Sequence, residues 1–278
     1  MKGGWLPFCL LLSACGGLPS PAERHQQADR LAATRDWTAV RLPAGPFGLT
    51  AYVPARPAAS DSLTIYIEGD GLAWIDRSRP ASDPTPLEPV GLQLALAQPA
   101  GNAAYLARPC QYAETGQAAC ETAYWTGRRF APEVIEAMQQ GIDRLKQRFG
   151  ARRLALVGYS GGGAVAALAA ARRTDVDLLV TVAGNLDSAA WTRLHRVSPL
   201  AGSLNPADDT TRLAGIRQVH LAGGRDTVVP PAIAAGYADR FSASERPAVR
   251  IEPAFDHRCC WVDAWPRIST EILSLPAR

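Results

Sequence analysis

From Pro132 onward, short runs of Val, Leu and Ile alternate with helical segments, and this pattern constrains the fold more than any other feature. A helix is expected over 132–149, opened by Pro132 at its first position and stopped by Gly150. Strands are then expected at Leu154–Val157, Val176–Val182, Gln218–Leu221 and Val249–Ile251. Helices are expected between and after them, at Gly161–Arg173, Pro231–Phe241 and Trp261–Leu275. Continuous apolar strands separated by helices read as a parallel sheet covered on both faces. Earlier strands at Thr38–Leu42, Leu49–Val53 and Leu63–Ile67, joined by short Pro/Gly turns, read as an antiparallel edge. A helix over Leu87–Gln98 and a strand over Ala103–Ala107 complete the pattern. No repeat or linker interrupts residues 37–278, so these read as one α/β domain. With 278 residues, 47% of them hydrophobic, the chain has enough apolar surface for such a core.

The run Leu154-Ala-Leu-Val-Gly158-Tyr159-Ser160-Gly161-Gly162-Gly163 is a strand, a tight turn and a helix start. It holds G-x-S-x-G with Ser160 at its centre. A serine nucleophile needs an exposed hydroxyl on a strained turn, small flanking residues, and a helix N-terminus to favour developing negative charge. Gly161-x-Gly163-x-x-Ala166 also fits a loosened dinucleotide fingerprint. That motif requires an acid about 20 residues on, at the end of the next strand. The next strand here ends in Val182-Ala183-Gly184-Asn185, without one.

A serine nucleophile needs a base and an acid to orient it. Asp226 lies in Gly223-Gly-Arg-Asp-Thr-Val-Val-Pro230, after one strand; His257 lies in Ala254-Phe-Asp-His-Arg258, after the last. Strand C-terminal ends converge on one edge of a parallel sheet, so three such loops can meet. In order and placement, Ser160, Asp226 and His257 resemble the triad of the α/β-hydrolase superfamily, and the resemblance covers nearly all of 38–275. It implies an α/β-hydrolase fold, a mostly parallel sheet with helices on both faces and short cap loops. It also implies acyl transfer to water through acyl-Ser160, with no cofactor. Asp187 is the alternative acid. Asp256 reads as a turn residue beside the base, and His25, His195 and His220 as structural or exposed, with His195 able to line the pocket.

The same resemblance places an oxyanion hole at the backbone N–H groups of Gly161 and Asp70. The loop Tyr66-Ile-Glu68-Gly69-Asp70-Gly71 matches the His-Gly-x-Gly loop of esterases and lipases, with Glu68 in place of the His. Two carboxylates there oppose negative charge, so they must be paired, turned away or used on a cationic group. Arg128 and Arg129 are the candidate partners.

The N-terminus carries a separate message. Lys2, the apolar run from Trp5 to Leu12, and Leu12-Ser13-Ala14-Cys15 resemble the signal and lipobox of bacterial lipoproteins. The resemblance implies cleavage after residue 14, acylation of Cys15, and residues 15–36 as a tether with one helix at most. Gly16 after the Cys points to the outer membrane, facing the periplasm. No stretch reaches the 18 or so apolar residues of a spanning helix. In an oxidising compartment, Cys110, Cys120, Cys259 and Cys260 form an even set with three possible pairings. Cys110–Cys120 closes a short loop, whereas a vicinal 259–260 bridge is strained. The cross-pairings would pin the 110–120 loop to the segment after His257. Zinc-type cysteine and histidine spacings are absent, so no metal is expected.

Substrate choice in this fold lies in the segments above the sheet. Two are long, 108–131 and 184–215, but neither suffices for a large lid. An open cleft with a disulfide-pinned rim, suited to a short-chain ester or other small acyl substrate, is the expectation. The same triad serves peptidases and amidases, and the fold also serves non-catalytic ligand-binding lipoproteins. A net charge of +3 with scattered Lys and Arg excludes nucleic acid as a partner. The sequence sets no oligomeric state.

Overall fold

A computed structural model describes residues 17–113 and 119–273. Cys15 and the signal segment lie outside the described residues. Helix α1 (Pro21–Ala33) leads into strands β1 (Trp37–Ala44), β2 (Phe47–Pro54) and β3 (Ser62–Ile67), then α2 (Val90–Ala97) and β4 (Asn102–Leu106). There follow α3 (Pro132–Phe149), β5 (Arg153–Tyr159), α4 (Gly161–Ala170), β6 (Val176–Val182), α5 (Ser188–His195) and α6 (Thr210–Leu213). The chain closes with β7 (Arg217–Gly223), α7 (Pro231–Ala238), β8 (Ala248–Glu252) and α8 (Trp261–Leu273).

The strands form one eight-stranded sheet in the order β1-β2-β4-β3-β5-β6-β7-β8. Strand β2 runs antiparallel to both β1 and β4, and the pairs from β4 to β8 are all parallel. The antiparallel edge expected for the first three strands holds for β1 and β2 only; Leu63–Ile67 forms β3 inside the parallel body, between β4 and β5, because the α2 crossover brings β4 in beside it. Two cores cover the two faces. One packs α3, α4 and α7 against Leu63, Ile65, Leu154 and Leu156; the other packs α1, α2 and α8 against Tyr66, Val157 and Val180. Helix α3 has the expected bounds, with Pro132 in its first turn and Gly150 closing it at φ 62°. Helix α4 is buried on every side, which only a Gly/Ala-rich sequence allows at such close approach to the sheet.

Residues 15–36 were expected to be a tether with one helix at most; residues 21–33 form that helix, α1, and it packs onto the folded body. Ser20 and Glu23 make a reciprocal capping box at its start. Arg24, Ala28 and Ala32 are buried. Asp29 accepts a 2.7 Å hydrogen bond from Tyr52 of β2, and Arg24 donates to the Thr85 carbonyl. Helix α2 also starts later than expected, at Val90, because Pro89 takes the capping position.

Candidate active site

Strand β5 ends at Tyr159 and α4 begins at Gly161, so Ser160 alone makes the turn. It does so at φ 52° and ψ −122°, a strained conformation for a residue with a Cβ. The turn needs its glycines. A Cβ on Gly158 would stand 2.2 Å from the Gly162 carbonyl oxygen, and one on Gly162 would stand 2.3 Å from that of Ile67. The surrounding sheet and helix hold the strain and leave the hydroxyl facing the cleft.

His257 and Asp226 arrive from the loops after β8 and β7. The Ser160 Oγ lies 3.1 Å from His257 Nε2, and His257 Nδ1 lies 2.8 Å from Asp226 Oδ2. The other Asp226 oxygen accepts the N–H groups of Val228 and Val229, both at 2.8 Å. The carboxylate is therefore fixed before it meets the imidazole. Tyr159 donates its hydroxyl to the His257 carbonyl at 3.0 Å, steadying the loop from below. Such a line can shift a proton from the hydroxyl to the imidazole while the carboxylate holds the ring's tautomer.

Among the described residues, none of the other candidates hydrogen-bonds to the side chains of the Ser160–His257–Asp226 line. Asp187 caps α5 through the Ala190 N–H and pairs with Arg240 at 2.8 Å. Asp256 accepts the N–H groups of Arg258 and Cys259, as a turn residue does. His220 is buried in β7 against Thr181, and burial pushes its pKa down to about 3, which keeps it neutral. His25 packs on the Tyr112 ring, and His195 reaches the Val228 carbonyl.

The loop after β3 lies over the nucleophile. Gly161 is the first residue of α4, so its N–H has no partner within the helix. The Asp70 carboxylate sits against it, 2.1 Å from where a Gly161 Cβ would stand. Of the two expected arginines, Arg129 meets Asp70 Oδ2 at 2.5 Å, while Arg128 pairs with Glu133. Sequence reasoning missed Arg108, whose guanidinium reaches Asp70 Oδ1 at 3.0 Å. Its one signal is its position, two residues past the end of β4 on the edge where Ser160 lies. Burial pushes the Asp70 carboxyl up, but Arg129 and Arg108 outweigh it and hold the pKa below the usual range. Asp70 is thus neutralised by pairing. Gln111 Nε2 donates to the Gly69 carbonyl at 2.9 Å and fixes the loop from the side.

Glu68 is neither paired nor exposed. It is 1% exposed, and its Oε1 accepts the N–H groups of Gly69 at 2.9 Å and Gly91 at 3.2 Å. Its carboxylate faces the buried hydroxyls of Tyr105 and Tyr112, which interact with it electrostatically. Burial pushes its pKa up to about 7 against the pull of those N–H donors.

The cleft above Ser160 has a volume of about 700 Å³. Leu72, Leu87, Val90, Tyr159 and Arg225 form its walls, with Cys259 at the rim. Two aromatics of the 108–131 segment are core residues. Tyr112 is buried, and so is Trp125, whose indole N–H donates to the Ala81 carbonyl. The cysteines pair as Cys110–Cys120 and Cys259–Cys260. The alternative cross-pairing, which would have linked the 110–120 loop to the segment after His257, is therefore not made. Each pair is local to its own loop. Among the described residues no group of three or more His, Cys, Asp or Glu could hold a metal ion.

A sheet of this order, with a nucleophile turn after β5, an acid after β7 and a histidine after β8, is the α/β-hydrolase fold. Solved structures with the same architecture are esterases and serine hydrolases. Est1E from Butyrivibrio proteoclasticus superposes with a TM-score of 0.59 over 85% of this chain and 99% of its own, at 14% identity. An esterase from Pyrococcus furiosus gives 0.60 over 88% and 92%, also at 14%. A Xanthomonas campestris serine hydrolase described as lacking a lid gives 0.54 over 87% and 97%, at 13%. No protein-family model and no curated protein matches the sequence.

Proposed function

We propose that this chain is a serine hydrolase that cleaves a carboxylic ester through acyl-Ser160, held in the bacterial envelope by acyl groups on Cys15. The observation that carries the reading is the hydrogen-bonded line Ser160–His257–Asp226, with Ser160 at positive φ. His257 Nε2 takes the hydroxyl proton as Oγ attacks the ester carbonyl. The oxyanion turns toward the N–H groups of Gly161 and Asp70. The alkoxide leaves with the proton from His257, which then activates water to hydrolyse the acyl-enzyme. Esterase neighbours support the ester preference, and one of them, Est1E, has been solved with ferulic acid bound. The small open cleft is consistent with a small acyl group.

A fluorophosphonate probe tests the nucleophile. Labelling of the wild type and its loss in Ser160→Ala are expected; a folded wild type that resists labelling overturns the reading. A parallel panel of p-nitrophenyl esters and anilides is expected to show turnover of the esters. Faster turnover of anilides refutes the ester preference. Mass spectrometry of the N-terminal peptide tests acylation of Cys15.

A further inference from the structure

Exposed large apolar side chains are not scattered over this molecule. Among the described residues there are seven: Leu18, Trp74, Ile75, Leu194, Val197, Val228 and Ile251. Five of them, all but Leu18 and Ile251, stand on the segments that follow the C-terminal ends of β3, β6 and β7, the edge that carries Ser160, with Leu194 in the last turn of α5 and the other four on loops. Trp74 is 40% exposed and Leu194 53%. Trp74 and Ile75 sit on a tip that doubles back on itself, with Trp74 bridging to Pro80 and the Ile75 N–H donating to the Arg79 carbonyl. Between this tip and residues 195–200 opens a groove of about 860 Å³. Val228 separates it from the cleft above Ser160, because Trp191 and His195 in the groove wall both donate to the Val228 carbonyl. An apolar rim around a groove beside the cleft, with Val228 shared by the cleft wall, is a surface in search of a partner.

The rim is also cationic. Arg77 on the Trp74 tip, Arg193 in the last turn of α5 and Arg196 at its C-cap are exposed, and among the described residues none of their guanidinium groups has a carboxylate partner. Apolar tips interleaved with unpaired arginines suit a surface that is anionic at its headgroups and apolar beneath.

Helix α1 shows where such a surface lies. Strand β1 is parallel in direction to β4 through its antiparallel pairing with β2, so Trp37 marks the edge opposite Ser160. Helix α1 ends next to Trp37 and runs back across the sheet. Its first turn therefore reaches the catalytic edge, where Arg24 donates to the Thr85 carbonyl and meets Asp83, one residue before Pro84 and the cleft-lining Pro86 and Leu87. Five residues separate Pro21 from Cys15, so an acylated Cys15 lies within about 20 Å of that corner.

We infer that the loops around the active-site mouth dock onto an anionic phospholipid surface, so that the cleft receives acyl esters presented by that surface. The inference rests on the acylated Cys15 and the hydrolase reading proposed above. The anchor holds the α1 corner at the bilayer, and the apolar and cationic loops turn the mouth toward it. The Trp74 tip enters the headgroup region. Arg77 and Arg196 meet phosphates.

The test uses the full acylated chain in vesicles of phosphatidylethanolamine and phosphatidylglycerol that carry a shallow doxyl-labelled lipid. Tryptophan quenching is expected in the wild type and in Trp37→Phe, and its loss in Trp74→Phe. Replacing Arg77 and Arg196 by Gln is expected to shift the docked equilibrium about fivefold for each arginine removed. Turnover of a soluble p-nitrophenyl ester should stay unchanged in that variant. Equal quenching in wild type and Trp74→Phe overturns the inference, as does equal quenching in neutral phosphatidylcholine vesicles. A chain isolated without acyl groups on Cys15 also overturns it. Loss of soluble-ester turnover with quenching intact instead marks failure of the hydrolase reading.

Discussion

Replacing Glu68 by Gln should stabilise the protein by an amount that grows with pH. Glu68 is buried beside the oxyanion loop without a cation, and burial raises its pKa from the usual 4.5 to about 7. The folded state thus binds a proton more tightly than the unfolded chain. Between pH 4.5 and about 7 the folded state carries more protons, so stability falls as pH rises through that window and levels off above it. At 1.36 kcal/mol per pH unit the full loss is about 3 kcal/mol. Gln keeps an oxygen to accept the Gly69 and Gly91 N–H groups but never ionises. Urea titrations with disulfides intact, at pH 5 and pH 8, read the effect. The advantage of Glu68→Gln should be roughly 2–3 kcal/mol larger at pH 8, a midpoint shift of about 1 M. An equal difference at both pH values would refute the argument, because it would mean that Glu68 ionises in the fold without penalty.

Other expectations follow from the same geometry. Asp226→Asn should fold normally yet lose turnover by on the order of 10³–10⁴, since the imidazole tautomer is no longer held; a variant within tenfold of wild type would point to another acid. Arg129→Ala should leave the Asp70 carboxylate with Arg108 alone and cost about 2 kcal/mol in denaturant, together with a fall in kcat as negative charge returns to the oxyanion site. Gly158→Ala should abolish fluorophosphonate labelling, because its Cβ collides with the Gly162 carbonyl. Replacing Cys110 and Cys120 together by Ser should cost about 3 kcal/mol by the loop-closure argument, read by calorimetry.

Much of the fold was legible because its signals are local. Pro132 and Gly150 bound α3 by backbone conformation alone, and Val176–Val182 forms β6 with the bounds its apolar run implies. The turn at Ser160 was legible for the same reason: the small residues around it suit a tight strand-to-helix crossing. Helix α1 was not, because its inward face is two alanines and the stem of Arg24, which produce no apolar periodicity. The arginine at 108 looked like any other cation until β4 delivered it beside β3. Likewise, no spacing says that Tyr112 and Trp125 fill the core rather than line the cleft.

The amino-acid sequence by itself determined the alternation of strands and helices, the residue at the strained turn, and the loops that could bring an acid and a base to it. Each of these depends on neighbours within a few positions. Only the tertiary structure decided that Asp70 is neutralised by Arg108 and Arg129 while Glu68 is buried without a salt bridge among the described residues, and that the exposed apolar and cationic tips share an edge with Ser160. Charge state and surface grouping depend on which distant segments the sheet sets side by side, and that is a property of strand order rather than of any local run of residues.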